Sequence, residues 1–243
     1  MRNGVFRSEW GKFFTYHWCI VGVISAALLP PLTLLFTEKS SAGSLLQSSD
    51  VIALCLRFLY LGQAGIIIAM AGFCGQEYSG SYLRTTLLTN SSRMKLLLTK
   101  KIIITVITII TGILSSILCI IVIIIKYQYV ITFDLFIRFI TTIPLAIISW
   151  VVLGLISGYI SIITKSLIVP IAILFPLILG LSQMLLAITE LAKYLPDLAG
   201  MNLFLLPEQK PFLTLWIGLI VQLIWIISLD CISTYLFQNR DVR

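Results

Sequence analysis

Residues 102–125 read IIITVITIITGILSSILCIIVIII. These 24 residues carry no charge, and Lys100, Lys101 and Lys126 bracket them. A helix needs about 20 apolar residues to cross the hydrocarbon core of a bilayer, each adding about 1.5 Å of rise. Such a run predicts a transmembrane helix. Five more long apolar runs, three of them with a single charged residue, give predicted spans at 18–36, 51–74, 102–125, 136–163, 167–189 and 212–236.

Composition agrees with that pattern. The 243-residue chain is 59% hydrophobic and 11% charged, against about 25% charged in soluble domains, and its mean hydropathy is +1.05. A soluble globular protein is excluded, and so is a disordered one, which needs low hydrophobicity and high net charge. The net charge of +7 sits in short segments between apolar runs, so no nucleic-acid partner is expected. The expected organisation is all-α: an amphipathic interfacial helix over 1–17, one transmembrane domain over 18–236 and a short tail over 237–243.

Basic residues in short loops mark the cytoplasmic side. With the N-terminus inside, the inner segments hold Arg2, Arg7, Lys12, Arg84, Arg93, Lys95, Lys100, Lys101, Lys165, Arg240 and Arg243. The outer segments and outer helix ends hold only Lys39, Arg57, Lys126, Arg138, Lys193 and Lys210, together with most of the acids. Both termini are therefore expected to be cytoplasmic. The first apolar run exceeds the usual 7–15 residues of a signal-peptide core and is expected to stay as an uncleaved first helix.

Before that helix, Phe6, Trp10, Phe13, Phe14 and His17 recur on one helical face, with Arg7, Glu9, Lys12 and Thr15 on the other. A helix of this kind lies in the headgroup plane with its aromatics at the interface. Between the second and third spans, the basic stretch 75–101 holds a turn signal at Asn90, Ser91 and Ser92 and predicts a short surface helix over about 78–88. Segment 190–211 is too apolar for an ordinary loop and is broken by Pro196, Gly200 and Pro207; a re-entrant or surface-lying hairpin fits it. Gly65, Ala69 and Gly72 in the second span, and Gly154 and Gly158 in the fourth, are small residues at helical spacing that let backbones approach closely in lipid. Pro170 and Pro176 predict a bend in the fifth span.

The residues available for catalysis are few. His17 is the single histidine, Cys19, Cys55, Cys74, Cys119 and Cys231 are scattered, and no GxxxxGK[ST] loop occurs. Neither a metal site nor an enzyme is expected. Charges within spans are functional candidates by default. Arg57 and Arg138 sit near outer helix ends, where they can snorkel to the interface. Asp230 lies deeper, about two turns from the inner end of the last span; it either pairs with a base from the inner loop or lines an inner cavity. Gln63 and Gln222 are further polar groups inside spans.

In the inner loop, Glu77-Tyr78-Ser79-Gly80 is followed by Leu83-Arg84-Thr85-Thr86-Leu87-Leu88 and then Arg93 and Lys95. This pattern resembles type-2 ABC exporter permeases. The opening Phe6-Arg7-Ser8-Glu9-Trp10-Gly11-Lys12 and the closing Phe237-Gln238-Asn239-Arg240-Asp241-Val242 are similar to the ends of small six-helix members of that family. One departure is that many relatives have proline in the turn where this chain has Asn90-Ser91-Ser92.

The resemblance implies an elbow helix at 2–17 and a coupling helix at about 76–88. Glu77, Tyr78, Gly80, Leu83 and Arg84 would contact a separate ATP-binding subunit, present in two copies and carrying the ATP and magnesium. It also implies a second permease chain, the same or homologous, in a bacterial plasma membrane. The substrate would be an amphipathic peptide, antibiotic or lipid-like molecule, as in lantibiotic and bacitracin immunity. Ile-rich spans suit a low-GC Gram-positive source. The rival readings are an ion-gradient-driven carrier using Asp230 and a non-transporting membrane scaffold.

Overall fold

A computed structural model describes residues 2–37, 47–78, 92–130 and 132–239, and every regular element among them is helical. In chain order these are α1 (Arg2–Thr15), α2 (His17–Phe36), α3 (Ser48–Gly75) with a 3₁₀ turn at Gln76–Tyr78, α4 (Arg93–Tyr127) and α5 (Phe133–Thr164). A broken helix follows, α6 (Ile168–Ile188), then the short α7 (Pro196–Ala199) between 3₁₀ turns at Glu190–Tyr194 and Met201–Leu203, and finally α8 (Leu215–Asn239). The six helices α2, α3, α4, α5, α6 and α8 are long and apolar enough to cross a membrane, which makes this a multi-pass membrane protein. Gly80, Leu83 and Arg84 lie outside the described residues, as does most of the proposed coupling helix.

α3 is the most buried of the six and α8 the least. The position of α3 follows from its small residues. A Cβ on Gly65 would stand 2.4 Å from the Ala26 backbone nitrogen and 2.6 Å from the Gly22 carbonyl oxygen; one on Gly22 would meet the Ala69 nitrogen at 2.5 Å. Only glycine allows α2 and α3 to lie this close. On its other side α3 is laced to α5, whose side chains donate to α3 carbonyls. Trp150 Nε1 reaches Leu59 at 3.1 Å, Ser157 Oγ reaches Ile67 at 2.9 Å and Ser161 Oγ reaches Ala71 at 3.3 Å. Lipid provides no hydrophobic drive between helices, so close packing and such bonds hold the bundle together. Gly154 and Gly158 face this same interior, with added Cβ atoms 3.1 Å from Ile66 and 3.0 Å from Ile104, whereas Gly72 has ordinary room, 3.4 Å from Trp18.

Helix ends are closed by cations from neighbouring elements. Lys126 Nζ donates to the carbonyls of Leu34 at 2.7 Å and Leu35 at 3.2 Å, and to that of Thr37, at the C-terminus of α2. Arg93 donates to Phe237 and Gln238 at 3.3 and 2.8 Å, at the C-terminus of α8. Exposed carbonyls and the negative end of the helix dipole favour a cation there.

The fifth span breaks just after one of its two prolines, Pro176, and not at the other. Pro170 sits in the first turn of Ile168–Pro176, where the missing N–H has no intrahelical partner to lose. The break falls after Pro176, in a π-turn over Leu177–Leu181, at Gly180 with φ 120° and ψ −4°. That conformation is open to glycine at little cost. Ser182 Oγ donates to the Leu177 carbonyl at 2.9 Å, across the break.

Segment 190–211 packs beneath α8, where an added Cβ on Gly218 would stand 2.0 Å from the Ala199 carbonyl oxygen. Leu198, Ala199, Leu203 and Phe204 are buried. Asn202 closes the loop, donating to the Leu213 carbonyl at 2.9 Å and accepting from the Gln209 N–H at 3.0 Å.

Gly65→Val should drive a branched side chain into the α2 backbone. Thermal unfolding in detergent should show a loss of about 3 kcal/mol or more, while Gly72→Ala should be neutral or stabilising by up to about 1 kcal/mol.

Candidate functional site

Four charges meet at the end of the bundle where α1 lies. Glu9 is on α1 and Lys12 one turn after it. Glu77 is in the 3₁₀ turn that ends α3, and Lys100 is two turns into α4. Lys100 Nζ stands 2.7 Å from Glu9 Oε2 and 3.2 Å from Glu77 Oε1. Lys12 Nζ stands 2.5 Å from Glu9 Oε1 and 3.0 Å from Glu77 Oε1. Glu9, Glu77 and Lys100 are buried, and Lys12 is partly exposed. Two anions and two cations cancel, a condition that lets such charges leave water.

Aromatic rings seal the cluster. Lys100 Nζ lies 4.3 Å from the Phe73 ring centroid, and Phe13 packs edge-on to Phe73 with centroids 5.3 Å apart. Burial pushes the Glu9 carboxyl up, but the Lys100 and Lys12 ammonium groups outweigh it and hold the carboxyl below its ordinary value. Attraction in a low-dielectric pocket offsets much of the desolvation cost only while all partners are present.

The next residue makes a second clamp. Consecutive helix positions point about 100° apart, so Lys101 faces away from Lys100. It forms an ion pair with Asp230 on α8 and lies 5.6 Å from the Tyr159 ring centroid on α5. Of the two roles open to Asp230, pairing with a base at the edge of the inner loop is the one observed. Adjacent lysines on α4 therefore hold α1 and the end of α3 on one side and α8 on the other. The α5–α6 connection joins them, because an added Cβ on Gly75 would stand 2.5 Å from Leu167 Cβ.

A second polar group lies deeper in the bundle. Gln63 Nε2 and Gln222 Nε2 both donate to Ser149 Oγ, at 3.2 and 2.9 Å, and Gln222 also reaches the Pro196 carbonyl at 3.0 Å. All three side chains are buried. They join α3, α5 and α8 to segment 190–211, where Gly200 leaves room; an added Cβ there would stand 2.2 Å from Gln222 Nε2. Nearby, Asp197 is buried with the Tyr60 hydroxyl 3.5 Å from its Oδ2. Burial pushes the Asp197 carboxyl up, against hydrogen bonds from Ser182 and the Leu198 backbone.

Of the residues singled out from sequence, Glu77 is one of the four charges of the cluster, and Tyr78 follows it in the same 3₁₀ turn. Phe6, Trp10 and Phe14 form a ladder along α1, with successive centroids 5.7 and 5.5 Å apart. Phe13 turns inward instead. His17 begins α2, separated from α1 by the bend at Tyr16. The sequence alone sets Glu9 and Lys12 on a polar face and gives Lys100 and Lys101 no site role. The signal that could have found them is the pairing of two acids that flank apolar helices with two adjacent lysines at the head of another. Among the described residues, no three His, Cys, Asp or Glu side chains gather as a metal site. No family model, curated protein or solved structure matches the chain.

Lys100→Met should cost about 3–5 kcal/mol, because it strands two buried carboxylates. Lys12→Ala should cost less than Lys100→Met, since partial exposure screens its side of the pairs. Unfolding followed against pH should show the cluster's support at full strength above the ordinary Glu value of 4.5. The support should fade as acid protonates Glu9, whose folded-state value lies lower.

Proposed function

We propose that the chain is the transmembrane permease subunit of an ATP-driven exporter of the type-2 ABC kind. The observation that carries this reading is Glu77, the last described acid before residues 79–91, held by Lys12 and Lys100 at 3.0 and 3.2 Å. A separate ATP-binding subunit, present in two copies, would press on the coupling region at 76–88 through Glu77, Tyr78, Gly80, Leu83 and Arg84. Movement at Glu77 would pass at once to α1, α3 and α4, and through Lys101 to α8. A packed, ion-paired end is suited to conveying rigid-body motion. ATP and magnesium would reside on the partner subunit.

The excess of basic residues at the α1 end supports placing that end, and both termini, in the cytoplasm. Phe6, Trp10 and Phe14 on α1 would lie among lipid headgroups as an elbow helix. A second permease chain, the same or homologous, would complete the transmembrane pathway, with segment 190–211 covering its outer end. The cargo would be an amphipathic peptide, antibiotic or lipid-like molecule taken from a bacterial plasma membrane, in immunity or export. Asp230, the group on which the rival gradient-driven carrier would depend, is ion-paired with Lys101.

Pull-down of the tagged chain from native membranes in mild detergent tests the proposal. A stoichiometric soluble partner that hydrolyses ATP should co-purify. It should be lost on combining Leu83→Ala with Arg84→Glu, two changes outside the charge cluster. A chain that purifies alone, with no ATPase in the eluate, would overturn the permease reading and turn attention to Asp197 as a proton-binding group.

A further inference from the structure

At the end of the bundle opposite α1, a cleft of about 720 Å³ opens between α3, the broken middle of α6 and residues 201–212. Its volume lies within the range of small-molecule sites, about 300–1,000 Å³. The break at Gly180 helps shape it, because Ile178, Leu179 and Gly180 form one wall. The opposite wall is a single face of α3, where Asp50, Arg57 and Leu61 follow one another from the mouth inward.

This order carries chemistry. Asp50 is in the first turn of α3, where its Oδ2 accepts the Gln47 N–H at 3.0 Å, and it remains exposed. Arg57 lies about 10 Å deeper by helical rise, a gap that shortens when its long side chain reaches toward the interface. Among the described residues Arg57 makes no ion pair or hydrogen bond, although it is a cation within a membrane-spanning helix. Beyond it the lining turns apolar at Leu61 and Ile178. Acid at the mouth, base below it and hydrocarbon beneath is the complement of an amine-bearing phospholipid. In such a lipid the ammonium is outermost, the phosphate next and the acyl chains deepest. A guanidinium pairs with phosphate through parallel N–H···O bonds, and Arg57 is exposed on the face of α3 that lines the cleft.

The geometry points to a specific binding site for the head group of an amine-bearing phospholipid, with Arg57 on the phosphate and Asp50 on the ammonium. The site needs neither an ATPase nor a second permease, so its failure would leave the permease reading standing, and the reverse holds too.

Native mass spectrometry of the delipidated full chain in non-ionic detergent, titrated with phosphatidylethanolamine, tests it. One lipid should bind saturably. Arg57→Gln should weaken binding tenfold or more, and Arg57→Lys should retain part of it. Leu61→Trp fills the cleft without altering charge and should also abolish the saturable component. Diacylglycerol, which lacks the phosphate, should not bind saturably, and phosphatidylglycerol, which lacks the amine, should bind more weakly. Unsaturable binding, equal binding by wild type and Arg57→Gln, or phosphatidylglycerol binding as tightly as phosphatidylethanolamine would overturn the assignment.

Discussion

A lysine ammonium buried between two carboxylates is the contact on which one whole end of this molecule depends. Lys100 lies in apolar surroundings formed by Phe13 and Phe73. An isolated charge there would be prohibitively costly. Glu9 and Glu77 make it tolerable, and each comes from a different part of the chain. The amphipathic segment ahead of the first span is thereby tied to the turn that ends α3 and to the start of α4. A surface helix with only aromatic contacts to lipid could slide or detach, whereas one that supplies a counter-charge to a buried lysine has a single seat. Lys101 extends the same arrangement to α8 through Asp230, so two successive residues organise most of this end.

Much of the fold could be read from the sequence, because apolar length is a direct physical requirement for crossing lipid. The six spans appear where long apolar runs predict them. Their ends are less legible. The third predicted span starts at residue 102, yet α4 begins at Arg93. Charge ends an apolar run but not a helix, and Arg93, Lys95, Lys100 and Lys101 all continue it. Pro170 was a poor guide to the bend for a related reason: a proline in a first turn breaks no hydrogen bond, while the inconspicuous Gly180 adopts a backbone conformation that most residues avoid. The cluster itself could not be read from local pattern. Glu9 and Lys100 are far apart in sequence, and each resembles an ordinary interfacial charge until the helices are packed together.

The opposite end is built by different means. There, α8 and segment 190–211 approach closely at Gly218 and Gly200, and Gln222 and Gln63 share one serine hydroxyl. That end also contains the cleft lined by Asp50 and Arg57.

A double-mutant cycle between Glu9→Gln and Lys100→Met, followed by unfolding in detergent micelles, measures whether α1 and α4 are energetically one unit. If the cluster binds them, removing both charges should cost less than the sum of the single changes by about 1.5–3 kcal/mol, as for residues in one ionic network. Additivity within about 0.5 kcal/mol would show that α1 rests on the bundle without being locked to it, and would contradict the account.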